Sequence, residues 1–428
     1  MIVVGFVACV ALHGCASTAT RPGAEAGRVA PSHADAAAIT ADIAYLASDR
    51  LEGRGTGTPG NDSAAAYIAR RFASLGLRRL DSSFEQHFVA RPLAGHNESA
   101  RSLPTQNVVA LLPGSDPQLR GQLVVVGAHF DHLGRSTEGA LDPDRKNAIR
   151  RGADDNASGT AAVLELARLF AAAPPRRSLL FVTFSGEELG LLGSEYFVTH
   201  SPRPLDSAVA MVNFDMVGRL RDDKLIVYGV ATAAELPALL DSANLSGRAP
   251  LRLTALGDGF GPSDHSSFYA RGIPVLHFFT DLHEDYHSAG DVPAKINAGG
   301  EARVVEVAER VIRALADRPS RLTFVRSAAP PPVAGSRQGS DVYLGSIPDM
   351  SNSAGRGLRL TGVRAGSPAE QAGLTAGDVI VEFAGRAVKD LYDFSDALYS
   401  HRPGDAVSVT VLRNGDRKQF TVHLGKRG

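Results

Sequence analysis

The sequence predicts an α/β protein built on a mostly parallel, doubly wound sheet flanked by helices, followed by a separate small β-rich unit. Three observations predict it. Residues 123–128, 179–184, 209–214, 225–228 and 273–279 are short apolar runs without polar alternation, as expected of strands buried on both faces. Stretches with helical spacing, such as 158–172, lie between them, as crossovers between parallel strands require. A Pro-rich stretch beginning at Ser327 then separates this pattern from a different one.

Length and composition agree with that division. At 428 residues the chain exceeds what one core usually supports. Hydrophobic residues are 44% and charged residues 21%, the balance of an ordinary globular protein. A net charge of -1 offers no basic field to nucleic acid, so no nucleic-acid partner is expected.

The elements follow in order. Residues 1–15 read as a secretion leader: an apolar run from Ile2 to Leu12, too short to span a bilayer, ends in Leu12-His13-Gly14-Cys15. That ending is similar to a bacterial lipobox with Cys15 as the lipidated residue, although no Lys or Arg precedes the run. Export to the cell envelope, periplasmic and lipid-anchored, or secretion is the expectation, with membrane contact only through that anchor. Residues 16–36 read as a flexible tether. Helical patterns follow at 37–46 and 61–75, the second marked by Ala65, Ile68, Phe72 and Leu75 and stopped by Gly76. A helix with Val304, Val307, Val311 and Leu315 on one stripe closes a domain expected over 37–326. A linker at 327–340 and a β-rich module at 341–428 complete the chain.

Metal-seeking residue types gather at the strand ends. The first run ends in Gly127-Ala-His129-Phe-Asp131-His132, the second in Phe184-Ser-Gly-Glu187-Glu188, the third in Asn213-Phe-Asp215. Gly152-Ala-Asp154-Asp155-Asn156-Ala-Ser-Gly159 is an acidic turn opening a helix, and Tyr286-His287-Ser-Ala-Gly-Asp291 follows the fifth run. Carboxylates brought together at the mouths of buried strands repel unless a cation neutralises them. The only cysteines, Cys9 and Cys15, lie in the leader, so ligands must come from His, Asp and Glu.

With the blocks HFD, GADDNASG, FSGEELGLLGS, NFDMVG and YHSAGD in this order, the chain resembles the M28 family of zinc peptidases over about residues 40–320. The resemblance implies the zinc-exopeptidase fold, peptide substrates and two zinc ions about 3.5 Å apart. It implies that His129 and Asp215 hold one zinc, that Glu188 and His287 hold the other, and that Asp155 bridges them, with Asp154 the alternative for that bridge. Because a metal-bound carboxylate loses basicity, the adjacent Glu187 is left as the general base for the attacking water. Tyr286 matches the tyrosine that in some relatives hydrogen-bonds the oxyanion, and Asp131 is a candidate to accept the other N–H of His129. His265 is not expected to ligate; His132, His277 and His283 are read as structural or surface histidines.

The implied activity is removal of N-terminal residues from peptides by an aminopeptidase. The alternatives are a carboxypeptidase of the same clan, with Arg150, Arg151 or Arg219 gripping the substrate carboxylate, and a single-zinc glutaminyl cyclase. A further alternative is a non-enzymatic scaffold. From Asp341 the chain resembles a PDZ domain, carried by Tyr343-Leu-Gly-Ser-Ile347 and by the segment 362–380, with a helix at 391–399 and a strand at 406–411. That resemblance implies capture of a protein or peptide C-terminal tail at the loop Leu344-Gly345-Ser346-Ile347.

Overall fold

The computed structural model describes residues 1–3, 5, 33–91, 102–326 and 342–426, apart from 138, 143, 258, 262, 349–356, 364–365, 390–392, 395–396 and 399. Cys15, most of the leader and tether, and the linker at 327–340 therefore lie outside the described residues, as does much of the helix expected at 391–399.

The first part contains α1 (Ala36–Leu46), α2 (Pro59–Ser74), β1 (Glu85–Ala90), β2 (Leu103–Leu112), β3 (Leu123–His129), α3 (Gly159–Ala172) and β4 (Ser178–Phe184). It continues through α4 (Leu192–His200), β5 (Ala208–Phe214), β6 (Lys224–Tyr228), α5 (Leu236–Leu245), β7 (Arg252–Ala255), α6 (His265–Ala270), β8 (Val275–Phe279) and α7 (Ala298–Asp317). Local chemistry starts and stops these helices. Asp35 caps α1 by accepting from the Ala37 and Ala38 amides, Thr58 caps α2 ahead of Pro59, and Asn297 caps α7. Gly76 follows α2 at φ +76°, a conformation that suits glycine after a helix end.

Among the described residues the strands form one sheet in the order β1-β2-β4-β3-β5-β8-β6-β7. Its centre, β4-β3-β5-β8, is parallel, and every residue of these strands is buried. Val124 and Val126 pack with α1, α2, α3, α5 and α7 on one face, while Leu123 and Val125 pack with Phe197 of α4 and Phe268 of α6 on the other. The flanks are antiparallel at β1/β2, β2/β4 and β6/β8. From β3 the chain steps to β4 on one side, then returns to β5 on the other. Such a switch of direction opens a crevice at the carboxyl ends of the strands, and His129 sits at the end of β3 where it opens.

The C-terminal module has its own apolar core, including Leu358, Leu360, Ile380, Phe383, Val409 and Val411. Strands Ala406–Arg413 and Asp416–His423 form a hairpin closed by Asn414 and Gly415, both at positive φ, the residue pair that a tight two-residue turn favours. Leu344 is buried, and Gly345 sits at φ +82°, where a Cβ would lie 2.2 Å from Ser367 Cβ. Only glycine fits that loop. Ser346 and Ile347 then enter a strand paired antiparallel with Val363 and Gly362.

Candidate metal centre

Asp155 stands between two groups of ligand atoms. Its Oδ1 lies 3.5 Å from His129 Nε2, which is itself 3.4 Å from Asp215 Oδ2. Its Oδ2 lies 3.1 Å from His287 Nε2, which is 3.1 Å from Glu188 Oε2. Four ligands placed tetrahedrally at zinc distances stand about 3.3 Å apart, so both spacings suit one ion each. The donors are all nitrogen or oxygen, and they are almost wholly buried. Between Asp154 and Asp155 the geometry is decisive. Asp154 faces away, accepting from the Gly218 amide at 2.7 Å and Ser158 Oγ at 3.0 Å, with His283 Nε2 3.2 Å from its Oδ2.

The surroundings fix these side chains. Asp291 Oδ2 accepts from the amides of Asp154 and Asp155, and its Oδ1 is held by Arg219 at 3.1 Å. Asn156 joins the same turn to the end of β5, donating to the Phe214 carbonyl and accepting from the Met216 amide. Fully buried Arg54 donates to the carbonyls of Phe130 and Gly152, tying the end of β3 to the acidic turn. Burial pulls its pKa down to about 10, with Asp131 and Asp155 opposing, so it stays charged beneath the carboxylates at neutral pH. His287 Nδ1 lies 2.9 Å from the Gly139 carbonyl, which fixes Nδ1 as the donor and turns Nε2 to the carboxylates.

The titration tendencies describe a cavity that demands positive charge. Burial works to depress His129 and His287, yet the charges of Asp215 and Glu187 hold the first well above its ordinary value, and Glu188 and Asp155 lift the second to about 10. Burial pushes Glu187 well up, and Glu188 and Asp215 add to this against the pull of His129. Burial also works to raise Glu188, but His287 and His132 hold it well below the carboxylate range. A divalent cation between these groups answers the same demand.

Every metal-ligand position expected from the sequence lies in this cluster, and Glu187 Oε2 lies 3.9 Å from His129 Nε2. Asp131 needs correction. The His129 Nδ1 hydrogen bond goes to the Asp131 carbonyl at 3.2 Å, while the carboxylate lies at 3.7 Å, beyond hydrogen-bond range. That carboxylate instead accepts from the Glu187 amide at 3.2 Å and from Thr56 at 2.7 Å, so it holds the Glu187 backbone. Tyr286 stacks on His287 with ring centroids 3.9 Å apart; burial, reinforced by Asp155 and Glu188, pushes its phenol well up, so the hydroxyl keeps its proton. His265 and His277 stack on each other and are both buried.

His132 is the residue that sequence reasoning missed. Its Nδ1 lies 2.7 Å from Glu188 Oε1, and with Asp155 and Glu188 it forms a third group able to approach one ion. The signal was present in the His-Phe-Asp-His run itself, since a second histidine at a buried strand end points into the same crevice.

Residues 107–312 match the model of peptidase family M28, and residues 342–424 match the PDZ domain model. Leupeptin-inactivating enzyme 1 of Streptomyces exfoliatus is 29% identical over 250 residues, 58% of this chain and 49% of that protein. An aminopeptidase of Bacillus subtilis is 31% identical over 158 residues, 36% of this chain and 31% of that protein. The chain thus spans about half or less of these curated relatives. Among solved structures, a zinc aminopeptidase from Bacillus subtilis superposes with a TM-score of 0.55 at 17% identity, covering 71% of this chain and 100% of that one. A glutaminyl cyclase of Porphyromonas gingivalis gives 0.54 at 18% identity, covering 65% and 98%. This chain therefore carries a peptidase domain of family M28, over residues 107–312, and a PDZ domain, over residues 342–424.

Proposed function

We propose that the protein is a two-zinc aminopeptidase. The observation that carries the reading is the position of Asp155, whose two oxygens each face a separate histidine and carboxylate, His129 with Asp215 and His287 with Glu188. Zinc held by these side chains would polarise the scissile carbonyl and acidify the attacking water. Glu187, kept out of both ligand groups and set by its amide on Asp131, takes the water's proton and returns it to the departing amine. Tyr286 keeps its hydroxyl proton and serves as donor to the developing oxyanion.

Against a carboxypeptidase, the three arginines considered for binding a substrate carboxylate are engaged. Arg150 is buried on Asp142, Arg151 pairs with Asp49, and Arg219 contacts Asp285 and Asp291. Against a single-zinc cyclase, His129 and Asp215 complete a second ligand group. The PDZ domain recruits peptide tails through the loop at Leu344-Gly345-Ser346-Ile347, and Cys15 anchors the exported protein in the cell envelope.

The test is Glu187→Gln. Zinc content, measured by atomic emission, should stay at the wild-type level while hydrolysis of an unblocked aminoacyl substrate falls by about 10²–10⁴. Acetylating the substrate amine should stop the wild-type enzyme. Full activity in the variant sinks the base assignment; cleavage of the acetylated substrate sinks the aminopeptidase.

A further inference from the structure

We propose that His132 is a positioning residue for Glu188: its Nδ1–H holds Oε1, so that Glu188 offers Oε2 alone to the ion it shares with Asp155 and His287. The inference rests on the two-metal reading above and concerns a residue outside the five ligands.

Three observations carry it. The first is the division of labour on Glu188, with Oε1 2.7 Å from His132 Nδ1 and Oε2 3.1 Å from His287 Nε2. Each oxygen has one imidazole. The second is the asymmetry between the imidazoles. His287 Nε2 is 3.1 Å from both carboxylates, whereas His132 Nδ1 is 3.8 Å from Asp155 and close to Glu188 only. His287 is centred where an ion would sit; His132 stands on the flank.

The third observation is that the ring is locked. Its side chain is fully buried, its edge meets His287 at 72° with centroids 5.7 Å apart, and its amide faces the Arg54 carbonyl. On the other side lies Gly152, at φ +54°, where a Cβ would approach His132 Cγ to 2.5 Å. The acidic turn thus leaves room for an imidazole at this position. His132 Nε2 is buried with no hydrogen-bond partner, which assigns the ring's bonding to Nδ1.

The chemical consequence follows. A carboxylate free on both oxygens can close on an ion as a bidentate ligand and fill the position a hydrolase leaves open for water or substrate. Holding Oε1 keeps Glu188 monodentate and fixes the direction in which Oε2 faces the ion, as hydrogen bonds to ligand carboxylates do in general.

The experiment uses the full chain stripped of metal, titrated with Co²⁺ and followed by visible absorption and chelator competition, with thermal unfolding of the metal-free protein in parallel. The variants are His132→Ala, which removes the donor, and His132→Asn, whose side-chain N–H can stand where Nδ1–H stood. His132→Ala should weaken one of two equivalents by about 10–100-fold and leave the other within about threefold. His132→Asn should restore the weakened equivalent.

The inference is overturned if His132→Ala binds both equivalents as the wild type does. It is overturned equally if Asn rescues nothing, or if both equivalents weaken together with a fall in the metal-free melting temperature. A wild-type chain that takes up no metal would overturn the two-metal reading itself and this inference with it; a wild type that binds two, matched by both variants, removes only the role of His132.

Discussion

Gly152 is the position where a single methyl group tests how the centre is built. Its backbone lies at φ 54°, ψ 60°, in the left-handed region, where a residue with a Cβ costs about 1–2 kcal/mol. Sterics add to this. An ideal Cβ would stand 1.9 Å from the Asp155 carbonyl oxygen and 2.5 Å from the His132 ring. The first obstacle is backbone, so relief requires moving the turn that carries Asp155. Forcing a group into a packed site costs about 1–3 kcal/mol. Gly76 supplies the control, because it also has positive φ, +76°, but nothing lies within 4 Å of its Cβ position. Gly76→Ala should therefore show the conformational cost alone, and Gly152→Ala that cost plus the steric one. The difference between the two variants, about 1–3 kcal/mol, corresponds to roughly 2–12 °C in melting temperature for a domain of this size. Thermal unfolding of both variants reads it directly, and zinc content reads the displacement of Asp155. Equal melting shifts in the two variants, with zinc uptake intact in Gly152→Ala, would refute the reasoning.

Two further outcomes are expected. Tyr286→Phe should lower kcat by about 10²–10³ with little change in KM, because the hydroxyl is used only when charge develops on the carbonyl oxygen; a change in KM alone, read from initial rates, would assign the ring to substrate packing. In the PDZ domain, Asp378 is buried and accepts from Arg413 Nε and Nη2 at 2.7 Å each. Burial works to raise its pKa, yet the Arg413 and Thr375 hydrogen bonds hold it below the usual value. A depressed folded pKa means that its stabilisation is present above the unfolded pKa near 4 and is lost as pH falls through the folded value. Asp378→Asn should accordingly destabilise the module at pH 7 by about 1.5–3 kcal/mol and flatten its acid dependence, read by hydrogen exchange of amides in 406–413 of the full chain. An unchanged acid dependence would place the pair outside the module's stability.

The centre of the sheet was legible because strands buried on both faces leave runs such as Leu-Val-Val-Val with no polar member. The β1/β2 flank was not. In β1, Glu85, Gln86 and His87 are partly or fully exposed, and β2 contains Pro104, Gln106 and Asn107, so neither has the apolar density that marked β3. The positions proposed as ligands were legible because folding has no other use for carboxylates clustered at strand ends. Contacts fixed by tertiary structure were not: Arg54 lies 97 residues from Arg151, whose carbonyl it holds, and Gly139 reaches His287 across 148 residues. Asp131 shows the same limit from the other side. Its spacing from His129 suggested a carboxylate contact, but the local chain turns its carbonyl to the imidazole and frees the carboxylate for Glu187.

That turn of the chain explains why two adjacent glutamates can do different work. Beyond β4 the segment leaves the sheet at Ser185 and Gly186, and Gly186 has φ +82°, so the backbone reverses as it enters the crevice. Glu187 and Glu188 then leave opposite sides of the chain, the first toward His129 and the second toward His287 and His132. Anchoring differs as well. Glu188 is held through its side chain by two imidazoles, whereas Glu187 is held through its amide by Asp131, which leaves the Glu187 carboxylate to approach and leave a proton. Asp131 is itself fixed by Thr56, in the loop that also brings Arg54 beneath the acidic turn. The proposed base is thus set through its amide by Asp131 and Thr56, and the proposed ligand through its side chain by His132 and His287. A shift in the Thr56 loop would change the spacing between base and ion without breaking a ligand contact, which predicts that Thr56→Val lowers turnover in a rate assay while zinc content is unchanged.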